Sequence, residues 1–420
     1  MRVSASLANK PDRYLQKYPL QKKFHTPEYL RTIPHLRLRT PSAALLARLR
    51  SECDYHVAAY FHSKRFVRLQ PPIITSSDCE GAGEVFTVSG KSAYTKPAGE
   101  NDASLHYQDH FFRDPKYLTV SSQLHLEAFV HEHPKVWTLS PTFRAERSDT
   151  PRHVSEFWML EAEMRTESLE DVMRVVEDLI KSLVANLQSS TLPDEMMGLK
   201  RRDGVESTAD RDASSNSISA RWDGLRKSPW PFITYTDAIE LLHSAAAEGT
   251  VFHHHPSWNG GLQWEHEKFI AQEVGQGSPV FVTDYPQEIK PFYMLPSAQR
   301  SASTGSEPET AACFDLLLPD GSEVVGGSMR EHRFEPLMQS MRRHELQIEN
   351  THQQSSPKGH NASPVSKFGD LDWYADLRRY GSVPHGGFGL GFDRLLGYLA
   401  GVRSIRDVVP WPRYYGRCDC

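Results

Sequence analysis

The sequence predicts an α+β fold in which antiparallel strands pack against amphipathic helices, and three observations lead to that class. Residues 140–146 and 152–161 form two strands joined by the charged loop 147–151, because large apolar side chains alternate with smaller or polar ones. A glycine-rich strand at 386–391 runs into a helix that begins near Asp393. Residues 168–187 carry apolar side chains at helical spacing, which predicts a long packed helix.

Length and composition narrow the possible classes of protein. The chain has 420 residues, of which 39% are hydrophobic, so it can bury a substantial core. Its formal net charge of −5 gives no overall basic character, although a local basic face would be enough to bind a nucleic acid. No long apolar run occurs, so the sequence predicts no membrane span.

The predicted hairpin carries charges that suit an anionic ligand. Arg144 and Arg152 lie on or beside its strands, together with several glutamates. Charge on a sheet is costly unless a ligand or a partner charge meets it, and guanidinium groups bind phosphate oxygens in pairs. Solvated surface ion pairs would give the same local pattern. Near the C-terminus, the glycines of 386–391 allow a ligand to approach the backbone, and Arg394 lies in the first turn of a helix, an end that favours anions.

Together these segments resemble a known family. The hairpin is similar to motif two of class II aminoacyl-tRNA synthetases, and the glycine-rich segment is similar to motif three. A helix over 43–63, followed by the strand 66–72 that ends in two prolines, resembles motif one. The chain resembles most the catalytic domain of asparaginyl-tRNA synthetases of the bacterial and organellar type, from about residue 18 to the end. The resemblance implies the class II catalytic fold, an antiparallel sheet flanked by helices, and a homodimer formed through motif one.

The domain prediction has two parts. Residues 1–40 are basic and resemble the hinge that follows an anticodon-binding OB-fold in this family, so we expect a hinge remnant without that OB-fold and, in consequence, weak tRNA charging. Residues 41–420 are expected to form the catalytic domain. Its helix begins at Thr40-Pro41, a capping threonine followed by proline. Polar, serine-containing insertions are predicted near 188–227, 297–312 and 351–366.

The compartment is predicted as the mitochondrial matrix in preference to the cytoplasm. The basic segment 1–40 has no apolar core, which excludes a secretory signal. It is compatible with a transit peptide, although the first dozen residues are not clearly amphipathic. The three polar insertions favour a eukaryotic source.

Residues 117–129 separate asparaginyl from aspartyl enzymes within the family. They read as a strand that passes into a helix, with Ser121, Gln123 and Glu127 at the junction. An N-cap and an ordinary helix face would look the same. By resemblance this stretch binds the amino acid, and aspartyl enzymes have a lysine where this chain has Leu126. Without that cation, the reason to prefer aspartate is lost.

The resemblance implies ATP-dependent activation of asparagine, assisted by Mg²⁺, and transfer of asparagine to tRNA(Asn). Arg144 and Arg394 are the implied catalytic residues. The ATP site would be formed by Arg144, Glu146, Arg152, His153, Phe157, Glu323 and Arg394. The amino-acid site would be formed by Glu80, Ser121, Gln123, Leu126, Glu161 and Arg330. Asp315 and Glu323 are the implied metal ligands, since Mg²⁺ prefers carboxylate oxygens.

Two alternatives stay open from the sequence. A synthetase-derived body can form amino-acid adenylates for another purpose, so an ATP-dependent asparagine synthetase is the first. A non-catalytic paralogue that only binds partners is the second. The phosphate-binding positions are all occupied by suitable side chains, which argues against the second alternative.

Overall fold

A large mixed sheet forms the centre of the molecule. The computed structural model describes residues 18–21, 23–76, 85–90, 111–112, 116–202, 218–297, 309–344 and 371–419. In these ranges, eight strands make one sheet in the order β1-β5-β6-β11-β10-β9-β8-β7. Their bounds are β1 Val67–Arg68, β5 Lys135–Phe143, β6 Glu156–Arg165, β7 Phe232–Thr234, β8 Val280–Thr283, β9 Cys313–Leu317, β10 Glu323–Met329 and β11 His385–Gly391. A smaller sheet has the order β2-β4-β3, with β2 Ile74–Thr75, β3 Thr87–Val88 and β4 Lys116–Leu118.

Most neighbouring strands of the large sheet run antiparallel, which confirms the predicted sheet. Only the outer pairs β1–β5 and β7–β8 are parallel. The predicted hairpin is β5 and β6, paired from Lys135 opposite Met164 to Phe143 opposite Glu156. Its connection spans 144–155 and is longer than the predicted loop 147–151, so Arg144 and Arg152 lie outside the strands. The hairpin is more deeply buried than a half-exposed one, because five successive residues of β5 are buried. The reason is position: β6 lies between β5 and β11, and helices cover one face of the sheet.

The helices among the described residues extend along most of the chain. They are α1 Pro27–Arg31, α2 Pro34–Arg37, α3 Pro41–Ser63, α4 Gln123–Val130, α5 Leu169–Gln188, α6 Leu192–Arg202, α7 Ile218–Arg226, α8 Tyr235–Ala247, α9 Trp264–Glu273, α10 Phe334–Arg343, α11 Asp372–Arg379, α12 Phe392–Ala400 and α13 Ile405–Val408. Side chains from α3, α5, α6, α7 and α12 pack against β5, β6, β10 and β11 in the largest apolar cluster. Within the described ranges, no helix is long and apolar enough to cross a membrane.

The start of α3 follows the predicted capping chemistry. The hydroxyl of Thr40 accepts a hydrogen bond from the backbone N–H of Ala43, and Pro41 occupies the first turn. The preceding helices are tied to the C-terminal segment through Arg37, which is 6% exposed. Its guanidinium donates to the backbone carbonyls of Arg406 and Pro410 at 3.1–3.2 Å. The described part of the predicted hinge is therefore packed against the catalytic body.

The predicted polar insertion at 188–227 needs correction. Helix α6 and helix α7 lie inside it, and only 203–217 falls outside the described residues. Leu192, Ile218 and Trp222 are buried in the main apolar cluster. These apolar side chains are few and widely spaced among serines and charged residues. The polar composition of the segment therefore predicted a loop where the structure has two short packed helices. Of the other predicted insertions, 298–308 and 351–366 lie outside the described residues.

Candidate active site

An open cleft lies on the sheet face that the main helices leave uncovered. Alternation along the strands explains its lining. Leu160 and Ala162 of β6 point into the apolar cluster, so Met159 and Glu161 point the other way, into the cleft. The cleft is bounded by residues of β6, β9, β10 and β11 and by the segments that follow β4 and β5.

Glycine in β11 is required where the strand passes closest to its neighbour. A Cβ atom on Gly387 would lie 2.3 Å from the backbone oxygen of Ala162 and 2.3 Å from the carboxyl carbon of Glu163. Gly391, at the end of the same strand, has only ordinary contacts of 3.4 Å or more, with Arg394. Gly387 therefore leaves the space that the Glu163 side chain occupies, and a larger residue at this position would collide with it.

The hairpin places a cation, an aromatic ring and an acid together at one end of the cleft. The guanidinium carbon of Arg144 lies 5.6 Å from the centre of the Phe157 ring, and its Nη1 lies 3.9 Å from Glu146. His153 Nε2 lies 3.4 Å from the other oxygen of Glu146. Burial lowers the pKa of His153, with Arg394 and Arg144 acting in the same direction, while Glu146 opposes them.

Two further arginines line the same end. Arg394, in the first turn of α12, donates from Nη1 to the backbone oxygen of Glu323 at 3.0 Å. Arg152 lies with its guanidinium carbon 4.5 Å from the ring centre of Trp264. Burial lowers the pKa of Arg152, although Glu267 and Asp320 oppose that shift. Three guanidinium groups in one cleft produce a strongly anion-binding end.

The opposite end of the cleft carries hydrogen-bond acceptors. Glu161 is 3% exposed, and its two oxygens accept hydrogen bonds from the backbone N–H of Ser122 at 2.9 Å. The Ser121 hydroxyl also donates to Glu161. Burial raises the pKa of Glu161, although these hydrogen bonds oppose the shift. Gln123 lies beside them in the cleft wall.

Arg330 lies at this end as half of a buried ion pair. Its Nη2 donates to Glu163 at 2.5 Å and its Nε donates to the same carboxylate at 3.2 Å, while Nη1 donates to Ser328 at 2.6 Å. Burial alone would lower the pKa of Arg330, but the charge and hydrogen bonds of Glu163 raise it above its ordinary value. The side chain of Arg330 is therefore cationic, and its charge is already neutralised within the protein.

Two carboxylates face each other above Gly326. A Cβ atom on Gly326 would lie 3.3 Å from Asp315 Oδ1 and 3.7 Å from Glu323 Oε1. Burial and the charge of Asp315 raise the pKa of Glu323, and Lys290 Nζ donates to Asp315 at 2.8 Å. Among the described residues, no group of three or more acidic, histidine or cysteine side chains could hold a metal alone. Two carboxylates nevertheless fit Mg²⁺, which takes one or two protein carboxylates with waters and phosphate oxygens.

The structure brings together every predicted site residue within the described ranges except one. The cleft is lined by Ser121, Gln123, Arg144, Glu146, Arg152, His153, Phe157, Glu161, Asp315, Glu323, Arg330 and Arg394. Leu126 is the exception, and its assignment to the amino-acid site needs correction: it is 0% exposed and does not line the cleft. It lies one helical turn beyond Gln123 in α4 and points into the core. Glu80 lies outside the described residues.

Sequence reasoning missed two acidic side chains that lie against residues of the cleft. Glu163 follows Glu161 by two residues on the same strand, and that spacing was the signal that both face the same side. Glu267 of α9 was also missed. Burial and the charges of Glu323 and Asp315 raise the pKa of Glu267 to about 8, so it lies close to the acidic pair. No local pattern marks Glu267, because its helix comes from a distant part of the chain.

The sheet, the arginine hairpin and the glycine-rich strand have the arrangement of a class II aminoacyl-tRNA synthetase. The family model described as tRNA synthetases class II (D, K and N) matches residues 26–415, and the chain belongs to this family. The family covers aspartyl, lysyl and asparaginyl enzymes, so family membership alone leaves the amino acid open.

Two relatives at 40–41% identity and one solved structure are named for one of these three amino acids, asparagine. The chain is 41% identical over 402 residues to the mitochondrial asparagine--tRNA ligase of Saccharomyces cerevisiae, covering 95% of this chain and 74% of the relative. It is 40% identical over 417 residues to the asparagine--tRNA ligase of Clostridium tetani, covering 99% and 80%. Among solved structures, asparaginyl-tRNA synthetase from Pyrococcus horikoshii in complex with asparaginyl-adenylate matches with a TM-score of 0.69 and 29% identity, covering 94% of this chain and 74% of that one.

Proposed function

We propose that this chain activates asparagine with ATP, giving asparaginyl-adenylate and pyrophosphate, and then transfers asparagine to tRNA(Asn). The observation that carries the proposal is a single cleft with three guanidinium groups at one end and a neutralised Arg330–Glu163 pair at the other. The relatives named asparagine--tRNA ligase and the neighbour that holds asparaginyl-adenylate agree with it.

ATP binds at the arginine end. The adenine stacks on Phe157, near Glu146, and Arg144 binds the α-phosphate. Arg152, His153 and Arg394 meet the outer phosphates. The asparagine carboxylate attacks the α-phosphorus and the bond to pyrophosphate breaks, so no covalent enzyme nucleophile is required. Arg144 stabilises the charge that develops on the α-phosphate oxygens, since preorganised donors act most strongly in a desolvated cleft.

The amino-acid end selects a neutral side chain. Glu163 already neutralises Arg330, so a substrate carboxylate would bring a second negative charge next to Glu163. The side-chain amide of asparagine has an oxygen that can accept from Arg330 and a nitrogen that can donate to Glu163. Its donor and its acceptor therefore both find a partner in the Arg330–Glu163 pair. A buried site of this kind rejects a substrate that leaves its polar groups unpaired.

Mg²⁺ is the expected cofactor, and Asp315 and Glu323 are the residues that would hold it. When bound, the ion neutralises charge on the phosphates. The residues of the chain prepare that site: Lys290 Nζ donates to one oxygen of Asp315, and Glu323, the first residue of β10, lies close enough for the charge of Asp315 to raise its pKa. Removal of either carboxylate should raise the Mg²⁺ concentration that ATP binding requires, without altering the affinity for asparagine alone.

A homodimer and a mitochondrial location complete the proposal. The homodimer would use the helix and strand of 43–72. In the monomer, β1 lies at the edge of the large sheet, and Val67 is 40% exposed there. The mitochondrial location rests on similarity to the mitochondrial ligases of two yeasts. Bacterial ligases match at similar identity, so the location needs a direct test by imaging of the tagged protein.

Aminoacylation of a tRNA(Asn) transcript with each amino acid tests the second step. We expect asparagine to be transferred and aspartate to be transferred far more slowly. Equal charging with both would contradict the proposed specificity, and charging of tRNA(Asp) in preference to tRNA(Asn) would contradict the proposed partner.

A further inference from the structure

A fully buried polar cluster lies directly behind the amino-acid end of the cleft. Its centre is Glu127 of α4, and its other members are Gln123, Tyr374, Arg378 and His385. The side chains of Glu127, Arg378 and His385 are all 0% exposed. None of these three lines the cleft, whereas Gln123 does.

The two oxygens of Glu127 have separate partners. Oε2 accepts hydrogen bonds from the Tyr374 hydroxyl at 2.7 Å, from Arg378 Nη2 at 2.5 Å and from His385 Nε2 at 3.1 Å. Oε1 accepts from the amide nitrogen of Gln123 at 3.0 Å. Three donors from elements distant in sequence therefore hold one oxygen of the carboxylate, and its other oxygen accepts from a cleft residue, Gln123.

The charge of Glu127 is maintained in spite of burial. Burial alone would raise its pKa, but the Arg378 guanidinium and the hydrogen bond from His385 hold the pKa below its ordinary value. An ionised carboxylate can only accept hydrogen bonds. The position next to Gln123 is therefore occupied by a pure acceptor.

That chemistry decides which end of the Gln123 amide faces the cleft. An amide has an NH₂ donor at one end and a carbonyl acceptor at the other. The donor end is bound to Glu127, and a flipped amide would bring its carbonyl oxygen against the carboxylate, which is unfavourable. The carbonyl oxygen therefore faces the cleft, where Ser121 and Glu161 lie nearby. Within the described residues no group donates to that oxygen.

We propose that Glu127 is a positioning residue, which fixes the Gln123 amide so that its carbonyl oxygen accepts a hydrogen bond from the α-ammonium group of the amino-acid substrate. This inference rests on the proposed function to the extent that the cleft binds an amino acid. It does not depend on which amino acid is bound, because every α-amino acid carries the ammonium group.

The decisive variant is Glu127→Gln. The new amide keeps its oxygen on the three donors from Tyr374, Arg378 and His385, and so turns its NH₂ group towards Gln123. Gln123 then flips and presents NH₂ to the substrate ammonium. We expect the KM for asparagine in pyrophosphate exchange to rise about 10- to 100-fold, as for a lost hydrogen bond to a charged group. The KM for ATP should change less than about twofold, because the arginine end is untouched.

A substrate analogue separates positioning from general damage. Succinamate is asparagine without its α-amino group, so it cannot use the Gln123 carbonyl. We expect its inhibition constant to be the same for wild type and Glu127→Gln. A parallel loss of affinity for asparagine, succinamate and ATP would show that Glu127 only supports the fold and would overturn the inference. An unchanged KM for asparagine would also overturn it.

A double-mutant cycle tests whether Glu127 acts through Gln123. Gln123→Met removes the carbonyl and keeps the length of the side chain. We expect Glu127→Gln to add nothing to the KM effect in that background, whereas independent effects would multiply and contradict the inference. If Glu127→Gln alone does not fold, Glu127→Gln with Arg378→Met removes both buried charges together and allows the same comparison.

The test also distinguishes this inference from the proposed function. Wild-type exchange is first measured with all twenty amino acids. If another amino acid were used in place of asparagine, the proposed specificity would fall, and the Glu127 comparison would be made with that amino acid. If none supports exchange, the proposed function falls, and calorimetric binding of asparagine and succinamate to wild type and Glu127→Gln decides the inference by the same criterion.

Discussion

Replacement of Glu163 by glutamine should shift substrate preference from asparagine towards aspartate. In the wild type, Glu163 accepts hydrogen bonds from Nη2 and Nε of Arg330, and both side chains are almost completely buried. Glutamine has nearly the same shape but no charge. Arg330 then carries an uncompensated cation at the end of the cleft where the substrate side chain lies, and a substrate carboxylate can neutralise it.

The magnitude follows from the contacts that change. A hydrogen bond to a charged group contributes about 1.5–3 kcal/mol, so kcat/KM for asparagine should fall about 10- to 150-fold and that for aspartate should rise. The same change removes one half of a buried ion pair, which costs up to about 3–5 kcal/mol of stability. We therefore expect a lower melting temperature, partly restored by aspartate because it supplies the missing charge.

Pyrophosphate exchange with asparagine and aspartate measures the shift, and differential scanning fluorimetry measures the stability change. Glu335→Gln is the matched control, because it makes the same chemical change at an exposed residue of α10. It should leave the free energy of unfolding within about 0.5 kcal/mol. An unchanged preference for asparagine over aspartate in Glu163→Gln would refute the claim that the Arg330–Glu163 pair sets the specificity.

Three further outcomes are expected. Arg144→Ala should reduce the exchange rate by about 10²-fold or more, since it removes a charge donor to the transition state; a loss below tenfold would contradict its role. Chelation of Mg²⁺ should abolish exchange, and Asp315→Asn should raise the Mg²⁺ concentration for half-maximal rate, as measured by titration with MgCl₂; an unchanged titration would remove Asp315 from the metal site. Gly387→Ala should prevent correct folding while Gly391→Ala folds, as judged by circular dichroism, because only the first Cβ meets backbone at 2.3 Å.

Much of the fold was predictable because its signals are local. Alternating side chains predicted the β5–β6 hairpin, and Thr40-Pro41 predicted the start of α3. Helices α6 and α7 were not predicted, because their burial depends on a few apolar residues that pack against α3 and α5. A polar composition is a weak guide where a helix buries only one narrow face.

The residues expected to contact the ligand were predicted from the sequence, whereas the residues that act through contacts with other side chains were not. The charged and aromatic residues of the hairpin, together with the arginine of α12, predicted the phosphate-binding end of the cleft. Leu126 was misplaced because its assignment rested on the lysine that aspartyl enzymes carry at that position, and the match does not give the direction of the side chain. Glu163 and Glu267 were missed because their roles arise from contacts between distant segments, with Arg330 in one case and with Glu323 in the other.

The most direct test of the central claim is amino-acid-dependent ATP–pyrophosphate exchange with the purified protein, run over all twenty amino acids in the presence of Mg²⁺. The structure predicts exchange with asparagine, and exchange with aspartate weaker by at least an order of magnitude. Exchange with no amino acid, from folded protein, would contradict activation of an amino acid in this cleft. Equal exchange with asparagine and aspartate would contradict selection by the Arg330–Glu163 pair.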